Sequence, residues 1–356
     1  MDFKIRFIKK TELKKLIQFN KRNYGTKHIL VNKKYLDLQF GCFPSAKNCY
    51  TILGIFNPKE YLLGILGMTF LDYLYFGKKV KCTSFANLMI QENLRNLGLG
   101  YLLIQKAENI NPICLDHGVN DHAMSLFKGM VWVKEDMKKY SFVFNSENIK
   151  KIIKKKNAKI KDSILPHIES DNMEFISLRK YDKRLSQLFK NTAKKYSITV
   201  DRSCNYLNWR YFNHPMIKYN IFATVKNNTI KSFLVVRIDG PKDFRVARII
   251  DFVSTDNAEK FTFMQVIEFC KSKKVNFIDY FFSGNVHLKN LKICGFRDCL
   301  KADYDLLPKL LNPIVSSKNN SINFVVKTNH SLKYKKVNNI KNWYTTKAGG
   351  DQDRAY

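Results

Sequence analysis

Asn87-Leu88-Met89-Ile90-Gln91-Glu92-Asn93-Leu94-Arg95-Asn96-Leu97-Gly98-Leu99-Gly100-Tyr101-Leu102-Leu103 decides how the chain is read. Its first residues end an apolar run with the character of a buried strand, its last ones open a helical pattern, and Arg95, Gly98 and Gly100 stand in the loop between them. Two glycines let the backbone approach a ligand without Cβ clashes, and the first N–H groups of a helix have no acceptor inside it. Such a turn suits a pyrophosphate. Glycine pairs also serve tight turns that bind nothing, so the spacing carries the argument. A P-loop needs Gly-Lys-Ser or Gly-Lys-Thr, and a Rossmann dinucleotide site does not follow a hairpin.

Outward from this turn, strand and helix patterns alternate. Phe3 to Ile8 reads as an edge strand and Thr11 to Asn23 as a helix with Thr11 at its N-cap. Strands are expected at Tyr50 to Phe56, Tyr61 to Leu74 and Val80 to Ile90, with turns at Asn57-Pro58 and Gly77-Lys78-Lys79. After the helix from Gly98 to Ala107 come a short strand, Ile113 to Leu115, a short helix, Asp121 to Phe127, and a closing strand, Tyr140 to Phe144. Residues 146–172 read as a basic linker: Lys150, Lys151, Lys154, Lys155 and Lys156 crowd together, a run usual on a solvated face, and Pro166 interrupts the segment. The same order then recurs. A strand at Met173 to Leu178 precedes helices at Arg184 to Lys194 and Arg202 to Phe212, and strands at Tyr219 to Val225, Ser232 to Arg237 and Arg248 to Ser254 follow. A helix at Ala258 to Cys270, a strand at Phe277 to Phe282 and a helix at Val286 to Leu291 complete it. The expectation is an α/β protein of two tandem domains, each a central mixed sheet flanked by helices, at 1–145 and 173–330, with a C-terminal tail at 331–356.

Composition agrees with a well-cored chain. Of 356 residues 45% are apolar, which excludes a disordered chain, and the length suits two domains. Charge is +32, from 62 Lys and Arg against 30 Asp and Glu, which points to anionic partners. Arg supplies only 12 of the 62, so nucleic acid is not the favoured partner and part of the charge follows a Lys-rich codon habit. The eight Cys have no CxxC pair or zinc-finger spacing and read as reduced thiols, with no metal expected. No apolar run is long enough to span a membrane and the charged start is no signal peptide, so a cytoplasmic protein is expected.

Arg95-x-x-Gly98-x-Gly100 after a strand ending at Ile90 resembles the acyl-CoA signature of the GNAT (Gcn5-related N-acetyltransferase) superfamily. Gly118-Val119-Asn120-Asp121-His122-Ala123-Met124-Ser125-Leu126-Phe127-Lys128-Gly129-Met130 resembles that superfamily's later motif. The resemblance implies acyl-CoA lying in a gap between two splayed strands, with pyrophosphate on the amides around Leu97, Gly98, Gly100 and Tyr101. Leu88, Ile90, Arg95, Asn96, Leu99, Asn120 and Phe127 would complete that site. The N–H near Ile90 would polarise the thioester carbonyl, and an amine would attack directly. Two departures stand out. Members often carry a Glu base on the strand before the loop, where this chain has Ser84 and Asn87, and many carry a Tyr acid where Phe127 stands. Asp116 and His117, at the end of the next strand, are then the candidates for proton transfer, His117 as base near neutral pH and Asp116 holding the ammonium or the imidazole. A turn with capping polar residues is the alternative there.

The second half keeps no such turn: Ser254-Thr255-Asp256-Asn257-Ala258-Glu259 has no glycine and carries two carboxylates, so a single acyl-CoA site is expected. Tyr206, Trp209, Arg210 and Tyr211 suit stacking of a base or a clamp on phosphate, or they form helix core. Ser283 and Asn285 lie at the strand end matching Asp116-His117, and with Asp351 and Asp353 of the tail they are further candidates for binding the acceptor. Tyr206-Leu207-Asn208-Trp209-Arg210-Tyr211 with His214-Pro215 and Gly350-Asp351-Gln352-Asp353 resembles tandem-GNAT proteins of bacterial surface-polysaccharide pathways. Among these are N-acyltransferases that use acetyl-CoA or 3-hydroxybutanoyl-CoA on dTDP-linked 3-amino-3,6-dideoxyhexoses. A peptidoglycan-branching aminoacyltransferase using charged tRNA, a protein N-acetyltransferase and a non-catalytic nucleic-acid-binding protein are the other readings.

Overall fold

The computed structural model describes residues 2–42, 47–165, 172–308, 310–311, 314–315, 321–330 and 333–353. Pro166 and the last residues of the tail, from Arg354, lie outside the described residues. The chain forms two units: Met1–Glu135 with Asn323–Ile340 and Gly349–Tyr356, and Asp136–Ile322 with Lys341–Ala348.

In the first unit, strands β1 (Lys4–Lys9), β2 (Cys49–Phe56), β3 (Leu62–Tyr75), β4 (Lys78–Ile90), β5 (Ile113–His117) and β6 (Val133–Asp136) share a sheet with the strand Asn323–Thr328. The order is β1, β2, β3, β4, β5, Asn323–Thr328, β6. β4 and β5 are parallel, whereas β1 to β4 pair antiparallel, β2 to β4 as successive hairpins. Side chains alternate across the sheet. Leu53, Ile55, Leu66, Met68, Phe85 and Cys114 pack on one face with α3 (Leu99–Glu108) and α4 (Asp121–Gly129). Thr69 and Gly67 face the other way, where α2 (Lys33–Phe40) supplies Gln39, which donates to Thr69 Oγ1 at 2.7 Å, and Phe40, whose ring approaches Gly67. The Asn323–Thr328 strand is tied in beside β5 by Lys327, which reaches Glu108 at 2.7 Å, while Trp132 donates its indole N–H to the same carboxylate at 2.6 Å.

The second unit repeats this plan. β7 (Lys138–Val143), β8 (Glu174–Ser177), β10 (Asn220–Lys226), β11 (Thr229–Asp239), β12 (Arg245–Ser254), β13 (Val275–Phe282) and β14 (Arg297–Asp298) run in the order β14, β7, β13, β12, β11, β10, β8. Here too one central pair, β12 and β13, is parallel. β9 (Ile198–Val200) meets Trp343 through Ile198, and α5 (Ser146–Ile152), α6 (Arg184–Thr192), α7 (Cys204–Leu207), α8 (Glu259–Ser272) and α9 (Leu288–Ile293) complete the unit.

Several expectations are corrected. Thr11 caps nothing: it sits in a 3-10 turn, α1 (Leu13–Tyr24) begins after Glu12, and the Glu12 carboxylate takes the Lys9 N–H at 3.0 Å. α2 escaped the pattern reading although Asn32 is its cap, accepting from Lys34 and Tyr35. Tyr140 to Phe144 does not close the first sheet, since β7 pairs with β13 in the second. The place beside β5 is taken by Asn323–Thr328, distant in sequence, which periodicity alone does not reveal. The described part of 146–172 is no free linker: Ala158 and Ile160 are buried in the second core, and Asp303 accepts from the Lys159 N–H at 2.6 Å. The tail is packed into the protein over 343–348, where Trp343, Tyr344, Thr345, Thr346, Lys347 and Ala348 are all buried.

Candidate active site

β4 and β5 pair only from Cys82↔Ile113 to Phe85↔Asp116, yet β4 runs on to Ile90. Beyond Phe85 the two strands part. The parting coincides with a bulge, where Asn87, at φ 57°, and Leu88 together face Leu66 of β3. Past the bulge, Gln91 N–H donates to Leu63 O at 3.0 Å. Hydrogen-bonding direction alternates along an antiparallel strand, so the N–H of Ile90, paired opposite Gly64, turns away from β3 toward the side β5 has left. The splay therefore presents a backbone donor, the element an oxyanion needs.

β4 leads through a 3-10 turn, Glu92–Leu94, into Arg95, Asn96 at φ 69° and Gly98 at φ 75°, and α3 then starts at Leu99. Gly98 is the N-cap and offers no side chain, so the first amides of α3 have no acceptor from the cap. Gly100 lies under Leu126: an added Cβ would stand 3.3 Å from its Cδ2 and 3.9 Å from Ile90 Cγ1. Leu97 and Tyr101 are exposed, Leu99 is core, and Leu88 packs against that core. Arg95 is exposed and folds over the end of β4, its Nε 3.4 Å from Ile90 O. Bare amides, positive φ at the cap and an Arg beside them form a cradle with the chemistry of a pyrophosphate site.

Two expected members have structural roles. Asn120 caps α4, its Oδ1 accepting from the Ala123 N–H at 2.8 Å. Phe127 is core, edge-on to Trp132 with ring centres 4.8 Å apart.

The proposed dyad does not form either. Asp116 registers with Phe85 and Val325 on the face that carries α3 and α4, whereas His117, one residue on, points to the other face with Ser84. Asp116 thus cannot hold the His117 imidazole. His117 is 2% exposed, lies stacked on Phe324 at 4.9 Å, and burial pushes its pKa down to about 3. It is a neutral ring at neutral pH, not a base poised near 7. Between pH 6.5 and 3 the unfolded imidazole binds a proton that the folded one refuses. Unfolding free energy is therefore expected to fall as pH drops through this window, by up to roughly 1.4 kcal/mol per pH unit. Urea unfolding from pH 7.5 to 4.5 checks this, and His117→Gln should flatten the slope; an unchanged slope counts against it.

Around Ser84 and Asn87 the structure gathers further residues from distant parts of the chain. Tyr24 OH donates to Asn87 O at 3.3 Å, Tyr73 OH donates to Gly349 O at 3.3 Å, and Gln352 Nε2 donates to His117 O at 2.7 Å. Asp351 joins them, accepting from Asn87 Nδ2 at 3.4 Å. Asp353 is buried in the same unit. Only sequence-distant contact makes this cluster: the Gly350-Asp351-Gln352-Asp353 stretch stands out in the sequence, but nothing local places it beside Ser84 and Asn87.

In the second unit the turn that would match the cradle carries acid. Glu259, the first residue of α8, accepts from Asn290 Nδ2 at 2.7 Å and contacts Lys195 and His287. Burial alone would raise its pKa, but His287 and Lys195 outweigh this and lower it, so a carboxylate stands at the helix start. Tyr344 bonds Tyr280 OH at 2.6 Å and donates to Phe252 O, on the two parallel strands. Tyr206 donates to Ala348 O at 3.0 Å and Tyr211 to Asp251 at 3.1 Å, with both rings and Arg210 buried. These three are core, correcting their expected ligand role; Trp209 is partly buried against Tyr206, at 5.9 Å. Ser283 Oγ donates to Trp343 O at 2.9 Å and so holds the tail, while Asn285 is exposed. A groove of about 680 Å³ does open in this unit, lined by Arg179, Phe212, His214, Lys218 and Tyr219 among others, with no carboxylate among the described residues that line it. Its His214 accepts the Met216 and Ile217 N–H groups on Nδ1, at 3.2 and 2.9 Å, leaving Nε2 to carry the neutral ring's proton.

Among the described residues no three or more His, Cys, Asp or Glu are grouped to hold a metal ion, and no helix is long and apolar enough to cross a membrane. No protein-family model matches the chain, and no curated protein matches it. Solved structures do. A GCN5-related N-acetyltransferase from Anabaena variabilis ATCC 29413 aligns over 92% of this chain and 73% of its own, at 13% identity and TM-score 0.58. Another from Kribbella flavida aligns over 92% and 72%, at 12% identity and TM-score 0.57. The N-myristoyltransferase of Saccharomyces cerevisiae with bound myristoyl-CoA aligns over 92% and 79%, at 11% identity and TM-score 0.53.

Proposed function

The fold is that of these GNAT proteins, two mixed sheets flanked by helices, and from it we propose that the protein is an acyl-CoA-dependent N-acyltransferase. The observation that carries the proposal is the parting of β4 from β5 beyond Phe85, directly before the glycine turn. A thioester seated in that splay meets the Ile90 N–H at its carbonyl oxygen, and a pyrophosphate fits the bare amides from Leu97 to Tyr101 beside Arg95. Leu88, Asn96 and Leu99 contribute backbone. The amine adds to the thioester carbon, the C–S bond breaks, and CoA leaves as the thiol. Developing negative charge on the carbonyl oxygen is what the Ile90 N–H stabilises.

For the acceptor, we infer the amino group of a nucleotide-linked amino sugar, such as a dTDP-3-amino-3,6-dideoxyhexose, destined for a surface polysaccharide. The acyl group is small, acetyl or 3-hydroxybutanoyl. Support comes from the second unit, whose groove combines Arg179, Lys218 and the His214 and Tyr219 rings with no carboxylate among the described residues that line it, the chemistry that suits a phosphate-bearing aromatic ligand. Trp209, Asn285, Asp351 and Asp353 are the remaining acceptor candidates from the sequence. Both substrates are cytoplasmic metabolites, so the reading carries a cytoplasmic location. Incubating the protein with acetyl-CoA or 3-hydroxybutanoyl-CoA and a panel of dTDP- and UDP-amino sugars should release CoA thiol and give an N-acylated sugar by mass spectrometry. Thiol release without a nucleotide-sugar product would remove the acceptor assignment.

A further inference from the structure

With His117 neutral and Asp116 on the opposite face, the splay needs another group to take the proton from the attacking amine. The chain's own C-terminal segment brings one. Gly349 accepts from Tyr73, and Gln352 donates to the His117 carbonyl. Gly350 is pressed so close that an added Cβ would lie 2.6 Å from His117 Nδ1 and 3.3 Å from Ser84 Oγ. Between these two anchors Asp351, 4% exposed, accepts from Asn87, the bulge residue at which β4 and β5 are already apart. Ser84, Asn87, Gly350 and Gln352 are not basic side chains, and Phe127 is core. Asp351 is the carboxylate held at the bulge.

We propose that Asp351, delivered by the segment Gly349–Asp353, is the proton acceptor of acyl transfer; this rests on the acyl-CoA reading above. As the amine nitrogen bonds to the thioester carbon it becomes positively charged, and Asp351 takes its proton. The C–S bond then breaks, and the proton passes to the leaving thiolate, giving amide and CoA thiol with Asp351 again a carboxylate. This explains why the strand before the turn does without a Glu: the carboxylate arrives from the far end of the chain, beside Asn87.

The test uses the full chain with acetyl-CoA and the nucleotide amino-sugar panel, following thiol release, with acetyl-CoA binding measured separately by calorimetry. Asp351→Asn should lower kcat about 100-fold or more, the range general bases contribute, and leave acetyl-CoA affinity within about threefold. Asp351→Glu should recover part of the rate. The ratio of wild-type to Asp351→Asn rates should shrink from pH 7 to 9.5, as solvent deprotonates the amine without help. Gly350→Val, whose side chain meets the His117 ring, should lower kcat with Asp351 still present. An Asp351→Asn protein that keeps kcat within about fivefold, or a rate ratio indifferent to pH, overturns the proposal. Wild-type protein that binds acetyl-CoA but acylates no amine of the panel overturns it too while sparing the acyl-CoA site. Protein that binds no acetyl-CoA removes the reading beneath it.

Discussion

Gly100→Asp should weaken acetyl-CoA binding about 100-fold or more, about 2.7 kcal/mol, while leaving the protein folded. Gly100 is the second residue of α3, within the first turn whose amides are proposed to hold the pyrophosphate. A carboxylate there competes for the same N–H groups and repels the phosphates. Aspartate at a helix start is favourable and offsets the crowding of its Cβ against Leu126, and the thermal midpoint measured beside the affinity separates lost binding from unfolding. Gly100→Ala separates charge from volume. Its Cβ would stand 3.3 Å from the Leu126 side chain, which must shift by a few tenths of an ångström, so the loss should be far smaller. Calorimetric titration of both variants checks this. Equal affinity in Gly100→Asp and wild type would remove the turn from the site.

Asp251→Ala should destabilise the second unit by about 3–5 kcal/mol. Asp251 is fully buried and takes two bonds from Arg202, at 2.9 and 2.8 Å, with Tyr211 at 3.1 Å and Thr346 at 3.4 Å also donating. Removing it strands a buried guanidinium and two hydroxyls, and the first of these dominates, since an uncompensated buried charge costs several kcal/mol and an unmet hydroxyl about one to three. Arg202→Ala should cost a similar amount, and the double variant less than the sum, because each single change already breaks the same pair. Urea unfolding reads all three. A loss below about 1 kcal/mol for Asp251→Ala would mean that water reaches Arg202.

Much of the architecture was legible because it is local. Apolar runs bounded by turn residues marked β2, β3 and β4, and the glycine turn marked the start of α3 to within a residue. The recurrence of the order in the second half was legible for the same reason. Contacts between distant stretches were not. Nothing in Asn323–Thr328 says that it sits beside β5, or that Tyr140 to Phe144 leaves the first sheet for the second. The site divides along the same line. Gly98, Gly100, Arg95 and Ile90, the proposed cradle, lie in one continuous segment, so spacing alone brings them to notice. Asp116 and His117 were adjacent in sequence and so seemed a pair, but strand alternation sets them on opposite faces. Tyr206 and Tyr211 looked like ligand-stacking aromatics because the sequence does not show Asp251 and Ala348, the partners that consume their hydroxyls. Asp351 was noticed for its polarity; its contact with Asn87, 264 residues away in sequence, is a property of the folded chain alone.

A crystal structure of the protein grown with acetyl-CoA tests the central claim most directly. The account predicts pyrophosphate oxygens on the amides from Leu97 to Tyr101 and the thioester carbonyl oxygen on the Ile90 N–H, inside the splay of β4 and β5. A CoA molecule bound away from that turn, or none at concentrations that saturate acyl-CoA enzymes, would contradict it.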